Sequence, residues 1–108
     1  MKVMIDNLTV ADATVDQVIT IEGNPYFPPD SIAADVSLES SPTPYVCPWK
    51  GRCRYFNVVT AIGTHGDAAW AYPSPYASAV GLVGADFSDY IAFDRTITAI
   101  RELDESGR

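Results

Sequence analysis

With 108 residues the chain can bury one hydrophobic core but not two, so we expect a single domain over residues 1–108 with its core at about 8–100. A hydrophobic content of 47% with 19% charged residues excludes a disordered chain. The formal net charge of −7 repels phosphate backbones and anionic lipids, which excludes general nucleic-acid binding and membrane-surface binding.

The N-terminal segment does not have the pattern of a secretory leader. Asp6 interrupts Met1–Ile5 after too few apolar residues for a leader, and no apolar run approaches the length of a membrane span. We therefore expect a cytoplasmic protein whose two cysteines are thiols by default.

The first half of the chain predicts strands separated by proline-rich breaks. Leu8–Ala11 and Gln17–Ile21 alternate and are rich in β-branched residues, which predicts two strands joined by a hairpin turn. Gly23–Ser31 carries three prolines and two aromatics, which predicts a rigid loop. The same reasoning predicts a further break in the strand pattern at Ser40–Pro44.

The second half predicts further strands and one helix. Arg52–Thr60 has the strongest strand pattern, and Ala68–Tyr72 follows it after a turn-rich connection. Ser74-Pro75 has the pattern of a helix start, so we expect a short helix from Ser74 to about Val83.

The last part of the sequence predicts two closing strands and a polar tail. The expected strands are Tyr90–Phe93 and Thr96–Ile100, and residues 102–108 are expected to fray. Short strands with Pro- and Gly-rich turns predict an all-β fold, a small sandwich or barrel-like domain with one short helix.

The segment Cys47–Tyr55 concentrates the groups that could carry chemistry. It holds both cysteines, one of the two tryptophans and three of the seven cations, Lys50, Arg52 and Arg54. In an otherwise acidic chain these cations could bind a small anion, or they could pair with surrounding carboxylates on a solvated surface.

The two cysteines allow several interpretations. Cys47 could be a nucleophilic thiol activated by the nearby Lys50, or the two thiols could form a disulfide across a tight turn. Each could also be a buried, inert residue. Their spacing does not match a zinc motif, and adding His65 and Asp67 does not complete a recognisable ligand set, so we expect no metal and no cofactor.

Four aromatic residues could surround a site next to these cations. Trp70 and Tyr72 alternate with alanines and should share one strand face, as core residues or as a pocket wall opposite Trp49 and Tyr55. A lysine beside such a wall needs a counter-charge. We therefore expect Lys50 to point into a cavity facing Trp70 and Tyr72, with Asp67 as its internal partner.

Several segments together resemble a known family. They are, in order, Glu22-Gly23-Asn24-x-Tyr26-Phe27-Pro28, Cys47-Pro48-Trp49-Lys50-Gly51-x-x-x-Tyr55, Asp67-Ala68-Ala69-Trp70-x-Tyr72-Pro73-x-Pro75 and Ile91-Ala92-Phe93. This order resembles the DUF427 family over about residues 8–100. The resemblance implies a small, mostly β domain and no established activity. Its members usually have a small residue at the position of Cys53, which implies that a Cys47–Cys53 disulfide would not be general to the family.

These observations favour a binding module over an enzyme. The ligand would be a small anionic or nucleotide-like molecule, bound by Trp49, Lys50, Arg52, Tyr55, Asp67, Trp70 and Tyr72. One alternative is a group-transfer enzyme that uses Cys47 as nucleophile or Lys50 as electrostatic stabiliser. Another is a protein-interaction module whose proline-aromatic loop is the contact patch. The sequence indicates no oligomeric state.

Overall fold

The structure, a computed structural model, describes residues 1–101 as nine strands, one α-helix and two 3₁₀ turns. The strands are β1 (Lys2–Ile5), β2 (Leu8–Asp12), β3 (Ile19–Ile21), β4 (Asn24–Tyr26), β5 (Ser37–Cys47), β6 (Gly51–Thr60), β7 (Gly63–Ala71), β8 (Ile91–Phe93) and β9 (Ala99–Arg101), and the helix α1 is Ala77–Val83. The sheets have the orders β2-β1-β9, β3-β4 and β5-β6-β7-β8, all antiparallel. The all-β expectation is confirmed. No helix in residues 1–101 is long and apolar enough to cross a membrane.

The four-stranded sheet lies at the centre and buries a different core on each face. Ala69 and Ala71 of β7 pack on one side with Val3 of β1. The alternate residues, Trp70 and Tyr72, belong to the second core, which the β3-β4 hairpin and α1 close. The expectation that Trp70 and Tyr72 share a face is therefore confirmed, and it follows from the two-residue period of a strand.

The N-terminal strands pair differently from the prediction. Leu8–Ala11 does form a strand, but its partner is β1, for which the sequence predicts no strand. Residues Val15–Gln17 form a 3₁₀ turn, and the strand that follows starts at Ile19 in another sheet. The predicted hairpin is wrong because the alternation in β1, with Val3 and Ile5 buried, offers β2 a nearer partner.

Proline does not interrupt the sheet where a break was predicted. β5 runs through Ser40–Pro44 with only a shift in register, and β4 contains Pro25 within the predicted loop. β5 is an edge strand, so a proline there can place its backbone nitrogen, which carries no hydrogen, on the side that faces away from β6. No hydrogen bond between the two strands is then lost. Prolines on an edge also prevent unwanted pairing with other chains.

The helix and the last strand are shorter than expected. The N-cap of α1 is Tyr76, so Ser74-Pro75 precedes the helix, while Gly84, at φ +83°, ends it. Asp94 Oδ1 accepts hydrogen bonds from the backbone N–H and the hydroxyl of Thr96. These bonds hold a turn, and the final strand therefore begins only at Ala99. The predicted frayed tail, 102–108, lies outside the described residues.

Candidate functional site

The Cys47–Gly51 motif forms the tight connection between β5 and β6. Cys47 pairs directly with Gly51, and Gly51 has φ +109°, which L-residues rarely adopt. A Cβ at Gly51 would lie 3.5 Å from the Tyr76 ring. The backbone N–H of Tyr76 donates to the carbonyl of Lys50 at 3.0 Å, so the start of α1 holds the connection in place.

Lys50 directs its ammonium into the protein and not into bulk solvent, as expected, although it packs against aromatic rings and does not line either of the two grooves described below. Its side chain is only 8% exposed. Nζ lies 5.0 Å from the centroid of the Trp49 ring and 5.2 Å from that of Tyr72, close enough for cation–π attraction to both. Nζ donates a hydrogen bond to Glu22 Oε1 at 2.6 Å, which completes an ion pair.

Asp67 is not the partner of Lys50, and that expectation is wrong. Its Oδ2 accepts a hydrogen bond from Thr43 Oγ1 at 2.7 Å, and its backbone N–H donates to Asn57. Hydrogen bonds from Ser41 and Thr43 lower the pKa of the Asp67 carboxyl. Asp67 therefore ties β7 to the outer strand β5, while Lys50 pairs with the β3-β4 hairpin.

Glu22, which sequence reasoning missed, occupies a strained position. Glu22 and Gly23 are the two loop residues between β3 and β4, with φ +54° and +79°. Two-residue hairpin loops commonly require positive φ at both positions, but a glutamate seldom adopts it. A sparsely populated backbone conformation of this kind persists when the surroundings hold it, and the bond to Lys50 is one such contact.

The pair keeps Lys50 charged. Burial lowers the pKa of the Lys50 ammonium, but the hydrogen bond to Glu22 and the nearby Tyr26 and Glu22 more than compensate, so the net pKa is raised. A lysine with a raised pKa holds its proton at neutral pH. It can act electrostatically, but it is not an amine nucleophile.

Both cysteines are buried free thiols, each 5% exposed. Burial raises the pKa of the Cys53 thiol to about 11, although the Tyr72 hydroxyl and the Lys50 charge oppose the shift. Cys53 is therefore protonated at neutral pH and a poor nucleophile. The disulfide that the sequence left open is not formed.

The other aromatic residues of the predicted site, Tyr55, Trp70 and Tyr72, belong to the second core. Tyr55 lies opposite Trp70 on neighbouring strands, with ring centroids 6.3 Å apart. Trp70 Nε1 donates to the Tyr26 hydroxyl at 3.2 Å, and the Tyr26 and Tyr72 rings lie 6.5 Å apart. Burial raises the pKa of Tyr72 well above its usual range. These rings form an aromatic layer behind Lys50.

Arg52 is not part of the Lys50 site. Strand alternation places Arg52 and Arg54 on the face of β6 opposite Cys53 and Tyr55, and both arginines are exposed. They line a groove of about 580 Å³ with residues of β5 and Pro73. The structure therefore separates the three cations of the motif into one buried lysine and two exposed arginines.

His65 is half-buried, and its Nε2 lies 3.4 Å from Thr60 Oγ1. In residues 1–101, no three His, Cys, Asp or Glu side chains are grouped so that they could hold a metal ion. Neither observation indicates a catalytic histidine or a metal centre.

The fold and this arrangement define a small all-β domain in which a buried lysine of the β5-β6 connection pairs with a partly exposed glutamate of the β3-β4 hairpin. The chain belongs to the DUF427 family, described as a domain of unknown function, whose profile matches residues 1–102. A comparison with curated proteins found no significant match.

Proposed function

We propose that the protein is a binding module for a small anionic ligand, bound in the groove of Arg52 and Arg54. The observation that carries the proposal is the pair of exposed guanidiniums on one face of β6, in a chain with a net charge of −7. Residues two apart on a strand are separated by roughly 6–7 Å, so both arginines can contact one phosphate or two adjacent ones. Guanidinium donors bind such oxyanions bidentately.

The charge of these arginines is available. Among residues 1–101 neither guanidinium forms an ion pair, whereas Lys50 is already matched by Glu22. The Asp67 carboxylate contacts Thr43 of the groove through Oδ2, while its buried Oδ1 has no hydrogen-bond partner within residues 1–101, so Asp67 does not neutralise the arginines. An incoming anion would therefore gain two charge-assisted contacts without displacing an internal partner.

The groove also has apolar walls that fit a nucleotide-like ligand. Val46 lies directly opposite Arg52, and Pro44 directly opposite Arg54, with Pro73 beside them. Tyr45, which also lines the groove, is 46% exposed. A ring could lie on these surfaces while its phosphate meets the arginines, as in sites that combine apolar walls with a few charged groups.

The alternatives have less support. Group transfer by Cys47 would need a thiol that a substrate can reach, but Cys47 is buried, and the Lys50 charge that would stabilise the reaction is already paired with Glu22. The interaction hypothesis relied on Tyr26 and Phe27 of the proline-aromatic loop, and both side chains are buried. We therefore favour binding over catalysis.

Thermal unfolding with pyrophosphate or AMP tests the proposal. We expect a concentration-dependent rise in Tm, since a tenfold excess of ligand over Kd adds about 1.4 kcal/mol of stability, roughly 5–10 °C for a domain of this size. The double variant R52Q/R54Q should lose the response. The control variant R95Q/R101Q removes two other exposed arginines and the same charge, and should keep it.

The two variants distinguish a site from a general charge effect. If R52Q/R54Q and R95Q/R101Q lost the ligand-induced rise in Tm to the same extent, the proposal would be contradicted. A response that disappears in Lys50→Met but survives in R52Q/R54Q would place the anion at Lys50 instead.

A further inference from the structure

A second groove lies on the opposite side of the Cys47–Gly51 connection, where the hairpin meets α1. It has a volume of about 370 Å³ and is lined by Thr20, Ile21, Glu22, Trp49, Leu82 and Val83. That size lies in the range of small-molecule sites, towards its lower end. It shares no lining residue with the arginine groove, and its charged residue is Glu22 instead of arginines.

The walls of this groove are apolar and open to solvent. Leu82 is 78% exposed on α1, and the indole of Trp49 is half-buried. An apolar ligand group that covers the exposed leucine and the neighbouring indole removes both from water, and this burial favours binding. The groove therefore favours a ligand with a compact apolar body.

Glu22 supplies the charged group of the groove. Its side chain is 57% exposed, and Oε1 is held by Lys50 Nζ at 2.6 Å. Within residues 1–101, Oε2 accepts no hydrogen bond from the protein, although a carboxylate oxygen can accept two. The positive φ of Glu22 and the buried lysine restrict this carboxylate, so Oε2 is a positioned acceptor at the edge of an apolar surface.

The charge balance favours a cation at that acceptor. Lys50 lies behind the carboxylate, enclosed by the Trp49 and Tyr72 rings, so a second ammonium can reach the other oxygen from the solvent side. The Glu22 carboxylate and the net charge of −7 both attract a cation to this groove, which contains no arginine. We infer that this groove binds a compact amine, with its apolar body on Trp49 and Leu82 and its ammonium on Glu22 Oε2.

Titration of the ¹⁵N-labelled protein with 2-phenylethylamine tests the inference. We expect the indole N–H signal of Trp49 to shift with a Kd on the order of 1–10 mM, the affinity typical of so small a ligand. The Trp70 indole, bonded to Tyr26, is an internal reference and should shift little. The neutral analogue 2-phenylethanol should bind roughly fivefold or more weakly, and 3-phenylpropionate should not bind.

Leu82→Ala should weaken the amine roughly three- to tenfold, because it removes apolar contact area. Ile62→Ala, which trims a residue 57% exposed that lines neither groove, should leave the amine affinity unchanged. Leu82 is too exposed for its replacement to threaten folding. Equal binding of the amine and the alcohol, an unperturbed Trp49 indole, or no effect of Leu82→Ala would each overturn the inference.

Discussion

Replacing Glu22 with alanine should lower the free energy of unfolding by about 2–3 kcal/mol, whereas Lys50→Met should lower it by about 1 kcal/mol or less. The asymmetry follows from burial, since the lysine side chain is 8% exposed and the glutamate side chain 57%. Without Glu22, the buried ammonium has no carboxylate partner within residues 1–101, and the Trp49 and Tyr72 rings and the nearby Tyr26 compensate it only in part. Without the ammonium, the carboxylate is simply solvated, and methionine still fills the space.

Urea unfolding of the two variants measures this difference, and Asp89→Ala provides a matched control. Asp89 is also an exposed acid at positive φ, +61°, but it has no ion pair within residues 1–101. Its replacement should change the free energy of unfolding by no more than about 0.5 kcal/mol. If Glu22→Ala lowered the free energy of unfolding as little as Asp89→Ala, the buried Lys50 ammonium would not need Glu22 for its stability.

Raising the pH from 9 to 11 should destabilise the protein by up to about 2 kcal/mol through Cys53 alone. The folded-state pKa of this thiol is about 11 against an ordinary value of 9.0, because the side chain is buried. The folded protein thus holds a proton that the unfolded chain releases above pH 9. Stability from this group is complete below pH 9 and is lost as the pH rises through about 11.

Other buried groups act in the same direction once the pH exceeds their ordinary pKa values of 10.0 for tyrosine and 10.5 for lysine. Burial raises the pKa of Tyr26 and Tyr72, and the pair with Glu22 raises that of Lys50, so their contributions are also lost on the alkaline side. Denaturant titrations at several pH values should show a flatter decline between pH 9 and 11 in Cys53→Ala than in the parent. An identical decline in both proteins would mean that Cys53 is not the group responsible.

The fold was largely predictable where local patterns are strong. β6 is rich in aromatic and β-branched residues, and its strand was predicted with nearly the observed bounds. The sequence predicted a break at Ser40–Pro44 and no strand there, because a local pattern does not reveal that β5 lies at a sheet edge, where a missing N–H is tolerated. The short strand β1 pairs with β9, which is distant in the chain, and a local sequence pattern does not reveal such a partner.

The candidate site was only partly predictable. The burial of Lys50 followed from its position beside Trp49 in a tight turn, but its partner lies 28 residues away along the chain. Seven acidic residues precede position 42, and only packing of the hairpin on the second core selects Glu22. The separation of Arg52 from Tyr55 was readable in advance, because residues an odd number apart on a regular strand face opposite sides.

Lys50 uses its charge within the fold, whereas Arg52 and Arg54, which form no ion pair within residues 1–101, are the proposed contacts of the anion. A pyrophosphate titration followed by NMR of the arginine Nε–H and lysine Nζ signals tests this division of roles most directly. We expect the Arg52 and Arg54 signals to shift and saturate together while that of Lys50 stays in place. A saturating shift at Lys50 with unchanged arginine signals would contradict the account.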